Sequence, residues 1–245
     1  MAESLAKSRP GYNERLFSGN LRGRLHTARF DWLRGTLDRL ALAPQSVIEL
    51  GCYDGRAVSF LPRMPARYIG FDAGWENGLQ LAAQRWAGQS HLEFRQCRQA
   101  DQMNLAGEKF DLAIALETLE HIPPQDLDPY LETVAASLNP GGAFLVSVPN
   151  EIGPVFAAKH LLKLAFIGGS DPYSLREFLF QALGLVEKVE RREHKGFSYR
   201  RLIKTLRKYF YVEKAEGIPF AALPPYLSFG VGIVCRPLPN NGSAP

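Results

Sequence analysis

Cysteine is scarce in this chain. Only Cys52, Cys97 and Cys235 occur, with no C-x-x-C spacing and no histidines grouped around them. That argues against a disulfide framework and a zinc site, and it suits a reducing compartment. No apolar targeting segment follows Met1-Ala2-Glu3-Ser4, and no uninterrupted apolar run is long enough to cross a bilayer. A cytoplasmic protein is expected, at most peripheral to the inner face of a membrane. Charge of one sign is not in great excess either: a net +4 over 245 residues does not by itself imply nucleic acid. Internal repeats are missing too. What is present, 46% hydrophobic and 22% charged residues, is enough to bury a sizeable core. The length suits one large α/β domain or a domain with an appended lobe.

Val47-Ile48-Glu49-Leu50-Gly51-Cys52-Tyr53-Asp54-Gly55 is the stretch around which the rest is organised. Its apolar run reads as a buried parallel strand, its glycines as a tight turn, and Ala57-Val58-Ser59-Phe60-Leu61 as the start of a helix. Strand, turn and helix in that order bring backbone N–H groups to the carboxyl edge of a sheet, where open α/β folds bind ligands. Tyr68-Ile69-Gly70-Phe71-Asp72 is a second short strand closed by a carboxylate, which can accept both hydroxyls of a ribose. The nicotinamide fingerprint G-x-G-x-x-G is not matched, because three residues separate Gly51 from Gly55.

Upstream, Phe30, Leu33, Leu37 and Leu40 recur at helical spacing in a segment from Leu25 to Leu42, which reads either as a cover for the sheet or as a lid. Downstream, Leu79–Trp86 reads as a crossover helix, His91–Arg95 as a third strand and Phe110–Leu116 as a strongly buried fourth. A helix from Pro124 stops at Asn139-Pro140-Gly141-Gly142, and Ala143–Asn150 is the fifth strand. Val155–Ile167 is apolar, carries only basic charges and ends at Gly168-Gly169. It reads as a helix over a pocket or one lying in a membrane interface. The basic stretch from Arg191 to Arg201 reads as a solvated face, or as a surface for an anionic membrane, a phosphorylated substrate or nucleic acid. An amphipathic helix through Leu202, Ile203, Leu206, Tyr209 and Phe210 leads to strands at Tyr211–Ala215 and Phe229–Cys235.

The first two strand ends resemble the first two motifs of class I S-adenosylmethionine (SAM)-dependent methyltransferases, with Tyr53 in the place of the middle loop glycine. Glu117-Thr118-Leu119-Glu120-His121 resembles the fourth motif, and Leu138-Asn139-Pro140-Gly141-Gly142 the turn before the fifth strand. The resemblance covers about residues 45–150. It implies a Rossmann-like α/β fold, a seven-stranded, mostly parallel sheet with a reversed last strand and helices on both faces. Residues 1–44 would form an N-terminal helical cap, 45–236 the methyltransferase domain with an acceptor- or membrane-facing insertion at about 150–200, and 237–245 a disordered tail.

The same resemblance implies SAM as cofactor and S-adenosylhomocysteine (SAH) as product. Glu49, Gly51, Cys52, Tyr53, Gly55, Asp72, Ala73, Asp101 and Glu117 would contact the cofactor, Asp101 being chosen over Arg98 and Gln99 for the adenine. The alternative for Glu49 is a cap for backbone amides, for Asp72 a turn carboxylate, for Asp101 a solvated loop acid and for Glu117 a helix cap. His121 is the candidate general base, since imidazole titrates near neutrality, with a structural role as the alternative. His160 and His194 read as surface histidines or as part of the acceptor side. No metal-ligand spacing stands out, so no metal is expected. Within the superfamily the chain is similar to ubiquinone-pathway O-methyltransferases, some of which carry a membrane-touching insertion after the fifth strand. A small or lipid-linked acceptor methylated at oxygen is the expectation. The alternatives are a nucleic-acid methyltransferase using the basic 188–208 segment and a SAM-binding partner without catalysis.

Overall fold

A computed structural model describes residues 21–166, 173–192 and 194–239. Helix α1 (Leu21–Arg39) precedes the strand β1 (Ser46–Leu50), and β2 (Arg67–Asp72), α2 (Gly78–Arg85), β3 (Leu92–Gln96) and β4 (Phe110–Leu116) follow. Then come α3 (Pro124–Ser137), β5 (Leu138–Pro149), α4 (Gly153–Phe166), α5 (Leu175–Ala182), α6 (Tyr199–Leu206), β6 (Phe210–Ile218) and β7 (Gly230–Pro237). The seven strands form one sheet in the order β3-β2-β1-β4-β5-β7-β6. All neighbours are parallel except β7, which runs antiparallel to both β5 and β6. This is the sheet expected from the sequence, with its reversed last strand.

The sheet is apolar on both faces, as a parallel sheet covered by helices must be. Every residue of β4 except Asp111 is buried. Period-two alternation sends Val47, Leu112, Ile114 and Leu145 to one face, against Phe30, Leu33 and Leu37 of α1. Ile48, Leu50, Ala113, Phe144 and Val146 go to the other, against Leu131 and Val134 of α3 and Leu202 and Leu206 of α6. Chain order reverses between β1 and β4: β2 and β3 lie on one side, β4 and β5 on the other. Connections leaving the carboxyl ends of β1 and β4 therefore diverge, and a crevice opens between them.

Several segments differ from the sequence expectation, among them Tyr209 and Phe210, which lie past the end of α6 (Leu206), Phe210 opening β6. Residues after Gly55 form a single 3₁₀ turn, Arg56–Phe60, and no α-helix. The cause is Pro62, which holds Leu61 extended (φ −70°, ψ 148°) and stops the turn. Helix α5 was not anticipated, although Ser174 and Glu177 form a capping box at its start. The stretch beginning at Arg191 is no solvated face, since Lys195, Phe197, Ser198 and Tyr199 are buried. The Gly168-Gly169 stop, residues 1–20 of the cap and residues 240–245 of the tail lie outside the described residues. Among the described residues no helix is long and apolar enough to cross a membrane.

Candidate active site

The crevice is an open cleft of about 2400 Å³ along the carboxyl edge of the sheet. Its first wall is the turn after β1. Gly51 and Cys52 donate their backbone N–H groups to the Phe71 carbonyl (2.7 and 3.0 Å), and Gly55 closes the loop onto Cys52 O (2.8 Å). Gly51 is left-handed (φ 71°), and a Cβ there would lie 2.1 Å from Thr118 Oγ1. At Gly55 (φ 65°) a Cβ would meet the Phe94 ring at 2.7 Å. Protein packing alone therefore demands both glycines, a reason the sequence did not disclose. Tyr53, in the place of the middle glycine, is itself left-handed (φ 45°), a strain of about 1–2 kcal/mol for a residue with a Cβ. Its ring lies against Gly78 at the start of α2, and the residue lines the cleft. Asp54, unremarked in the sequence, is buried and anchors the loop: its Oδ2 accepts from Arg56 Nη2 and Arg85 Nη2, both at 3.0 Å.

Beneath the loop, Glu49 is buried and accepts the Tyr68 hydroxyl. Burial pushes its carboxyl up to about 8, although the Tyr68 hydrogen bond opposes the shift. The contact that holds Glu49 is a phenol and not the backbone amides of the capping alternative. Cys52 is buried in the same wall, and burial raises its thiol well above the ordinary range. At the end of β2, Asp72 Oδ2 accepts from Tyr53 N (3.1 Å), and its Oδ1 from Gly74 N (2.7 Å) and Trp75 N (3.2 Å). Asp72 thus ties the two loops together while lining the cleft. Ala73 and Asp101 line it as well, both exposed, with Asp101 in a 3₁₀ turn after β3.

The opposite wall begins where β4 ends. Thr118 Oγ1 donates to Leu50 O (3.1 Å), joining the ends of β4 and β1. Glu117 is left-handed (φ 51°), and its carboxylate pairs with Arg29 Nη1 of α1 (3.0 Å). Burial alone would raise this carboxyl; Arg29 and His26 outweigh it and hold it below the usual range. Glu117 therefore faces the cap helix and does not cap its own segment. Helix α1 covers the sheet with its apolar stripe and also places His26 and Arg29 in the cleft wall.

Glu120 is buried with both carboxylate oxygens unpartnered, and burial raises its carboxyl well above the ordinary value. His121 is half-exposed in the cleft, and its Nε2 lies 4.0 Å from Glu120 Oε1. The His194 ring packs edge-on against His121 at 4.7 Å. One ligand atom from each of Glu120, His121 and His194 lies within 4.8 Å of the others, a set able to hold a metal ion that sequence spacing did not reveal.

Neither His194 nor His160 is the surface histidine expected from the sequence. His160 is buried, stacked on Phe156 (5.6 Å) and close to Tyr173 (5.2 Å) and Phe178 (5.1 Å). Arg192 and Lys195 pair across a tight turn (Arg192 N to Lys195 O 3.1 Å, Lys195 N to Arg192 O 2.9 Å) that carries His194. Gln181 of α5 staples this turn, its Nε2 donating to Phe197 O (3.0 Å) and its Oε1 accepting from Gly196 N (3.1 Å). The only advance signal for this wall was its density of basic and aromatic residues.

Comparison with known proteins bears on the family and the fold. A family model described as a methyltransferase domain matches residues 25–191. A ubiquinone biosynthesis O-methyltransferase from Bradyrhizobium diazoefficiens is 33% identical over 132 residues, 53% of this chain and 47% of that protein. The chain spans about half the length of the curated relatives it matches. Among solved structures, the PH0226 protein from Pyrococcus horikoshii OT3 superposes with a TM-score of 0.62 at 16% identity, covering 90% of this chain and 93% of that one. A S-adenosylmethionine-dependent methyltransferase from Clostridium acetobutylicum gives 0.60 at 15%, over 86% and 91%. At such identities these two likenesses speak for the fold.

Proposed function

The chain belongs to the class I SAM-dependent methyltransferases, and from that premise we propose that it transfers the methyl group of SAM to an oxygen of a small or lipid-linked acceptor, releasing SAH. The observation that carries the reading is that Asp72, at the end of β2, shares one cleft with Glu117 and His121, at the end of β4. The residues present fit the cofactor. Asp72 offers a carboxylate for the ribose hydroxyls, Asp101 and Ala73 border the adenine side, and the Gly51–Gly55 loop with Cys52 and Tyr53 floors the amino-acid end. Glu49 lies beneath that loop for the ammonium group. Arg29, whose Nε is buried and unpartnered, supplies a cation beside Glu117.

Bound SAM supplies a methyl group on a cationic sulfur, already activated for transfer. The protein's task is alignment and proton removal. His121, exposed to the cleft just past β4, takes the proton from the acceptor hydroxyl. Helix α1 and the wall formed by α4 and α5 exclude water from that end. Support for oxygen as the methylated atom comes from the name of the Bradyrhizobium relative. Support for a lipid-linked acceptor comes from the exposed leucines Leu161 and Leu162 on α4 and Leu175, Leu179 and Leu183 on or beside α5.

The test is turnover with labelled SAM against a panel of phenols and isoprenyl phenols, alongside SAH titration. Label transferred to a phenol oxygen bears the reading out. SAH binding without transfer to any member favours a non-catalytic SAM-binding protein. Retention on RNA that weakens steeply with salt favours a nucleic-acid substrate.

A further inference from the structure

Among the described residues, the acceptor half of the cleft holds more positive charge than its carboxylates balance. Among the described residues, Glu117 is paired with Arg29 (3.0 Å), Glu151 with Lys159 (2.9 Å) and Glu177 with Lys195 (2.8 Å). Arg191, behind the wall, donates to the Glu120 backbone carbonyl. Two cations are left over. Lys163, on α4, and Arg192, in the stapled turn, both line the cleft, and neither pairs with a described carboxylate. The cleft acids Asp101 and Asp126 lie near Tyr130 on α3 and pair with no described cation of the cleft. A cleft lined by unbalanced charge of one sign concentrates ligands of the opposite sign.

The surroundings say more about the ligand. Phe156 and Tyr173 line the same part of the cleft and pack edge-on at 5.2 Å, giving it an aromatic wall. The backbone of the turn that carries Arg192 is held by its own pair with Lys195 and, further along, by Gln181, so the exposed Arg192 side chain projects from an ordered base. An arginine fork beside a lysine point charge is the pairing that suits a phosphate dianion, the fork binding two oxygens and the lysine adding charge.

We propose that the methyl acceptor carries a phosphate group, held by Lys163 and Arg192 at the mouth of the cleft, with its apolar or aromatic part against Phe156 and Tyr173. The assignment rests on the methyl-transfer reading, since it concerns the acceptor side of that cleft. Phosphate of this kind belongs either to a small phosphorylated molecule or to a lipid headgroup, and the two sources are separable.

The experiment measures phenyl phosphate and phenol binding by calorimetry, with and without saturating SAH, for the wild type and for Lys163→Gln, Arg192→Gln and the double variant. Sedimentation with vesicles of phosphatidylcholine, with or without phosphatidate, runs in parallel. Phenyl phosphate is expected to bind at least about tenfold more tightly than phenol, and the double variant to lose that advantage while keeping its SAH affinity. Sedimentation that depends on phosphatidate and disappears in the double variant also upholds the proposal, with lipid as the source. Equal affinities for the two probes, together with sedimentation unaffected by the double variant, overturn it. Failure of SAH to bind sinks the methyl-transfer reading separately, because the probes are also measured without SAH.

Discussion

The two halves of the cleft are built by different means. On the β1–β2 side the backbone does most of the shaping: a loop anchored on Phe71 O, two left-handed glycines pressed against Thr118 and Phe94, and Asp72 knitting adjacent turns. On the β4 side, side chains from distant segments converge. Arg29 reaches Glu117 from α1, and His194 reaches His121 across 72 intervening positions. A half shaped by backbone tolerates little change but suits a constant ligand. A half shaped by side chains can be altered piece by piece, which suits the part of a reaction that varies between relatives.

The contrast can be broken most forcefully at Gly51. Gly51→Ala combines left-handed strain with a Cβ driven into Thr118, and is expected to cost about 2–5 kcal/mol of stability. Urea denaturation reads the loss, and a variant as stable as the wild type shows that the loop is not the fixed half. His121→Ala should do the reverse, lowering turnover by about 10²–10⁴ with stability and SAH affinity close to the wild type. Turnover that survives makes His121 structural.

Asp72→Ala should weaken SAH binding by about 10–100-fold, or 1.4–2.8 kcal/mol, with a smaller loss of stability because three backbone N–H groups lose their acceptor. Unchanged affinity removes Asp72 from the site. The smallest effect is on pH dependence. Glu49 is held protonated in the folded state up to about pH 8, whereas an unfolded glutamate ionises near 4.5. The folded state therefore binds the extra proton, and its stability contribution, complete below about pH 4.5, is lost as pH rises through about 8. Glu49→Gln should flatten the fall of melting temperature across that window. An identical slope in both proteins refutes the shift.

How much of this was legible in the sequence follows the same division. The strand and glycine signals of the β1–β2 half lie within 26 consecutive residues, Val47 to Asp72, and were read where the fold places them. Even there, the reason for Gly51 is hidden, because Thr118 comes from the segment just past β4, far away in sequence. The helix expected after Gly55 failed because Pro62 was not weighed against the apolar pattern. On the acceptor side, the sequence leaves His160 and His194 between a surface and an acceptor-wall reading, and the stapled turn and the aromatic stack place both in the wall. The capping box of Ser174 and Glu177 was a local signal that went unread. The charge pairings of Glu117 and Arg29 had no local signal at all.

The most direct test of the account is calorimetric titration of the protein with SAH. The account predicts one saturable site of micromolar affinity, about −8 kcal/mol, that weakens in Asp72→Ala and persists in His121→Ala. No saturable binding, or tighter binding of an unrelated nucleotide such as NAD or ATP, contradicts it.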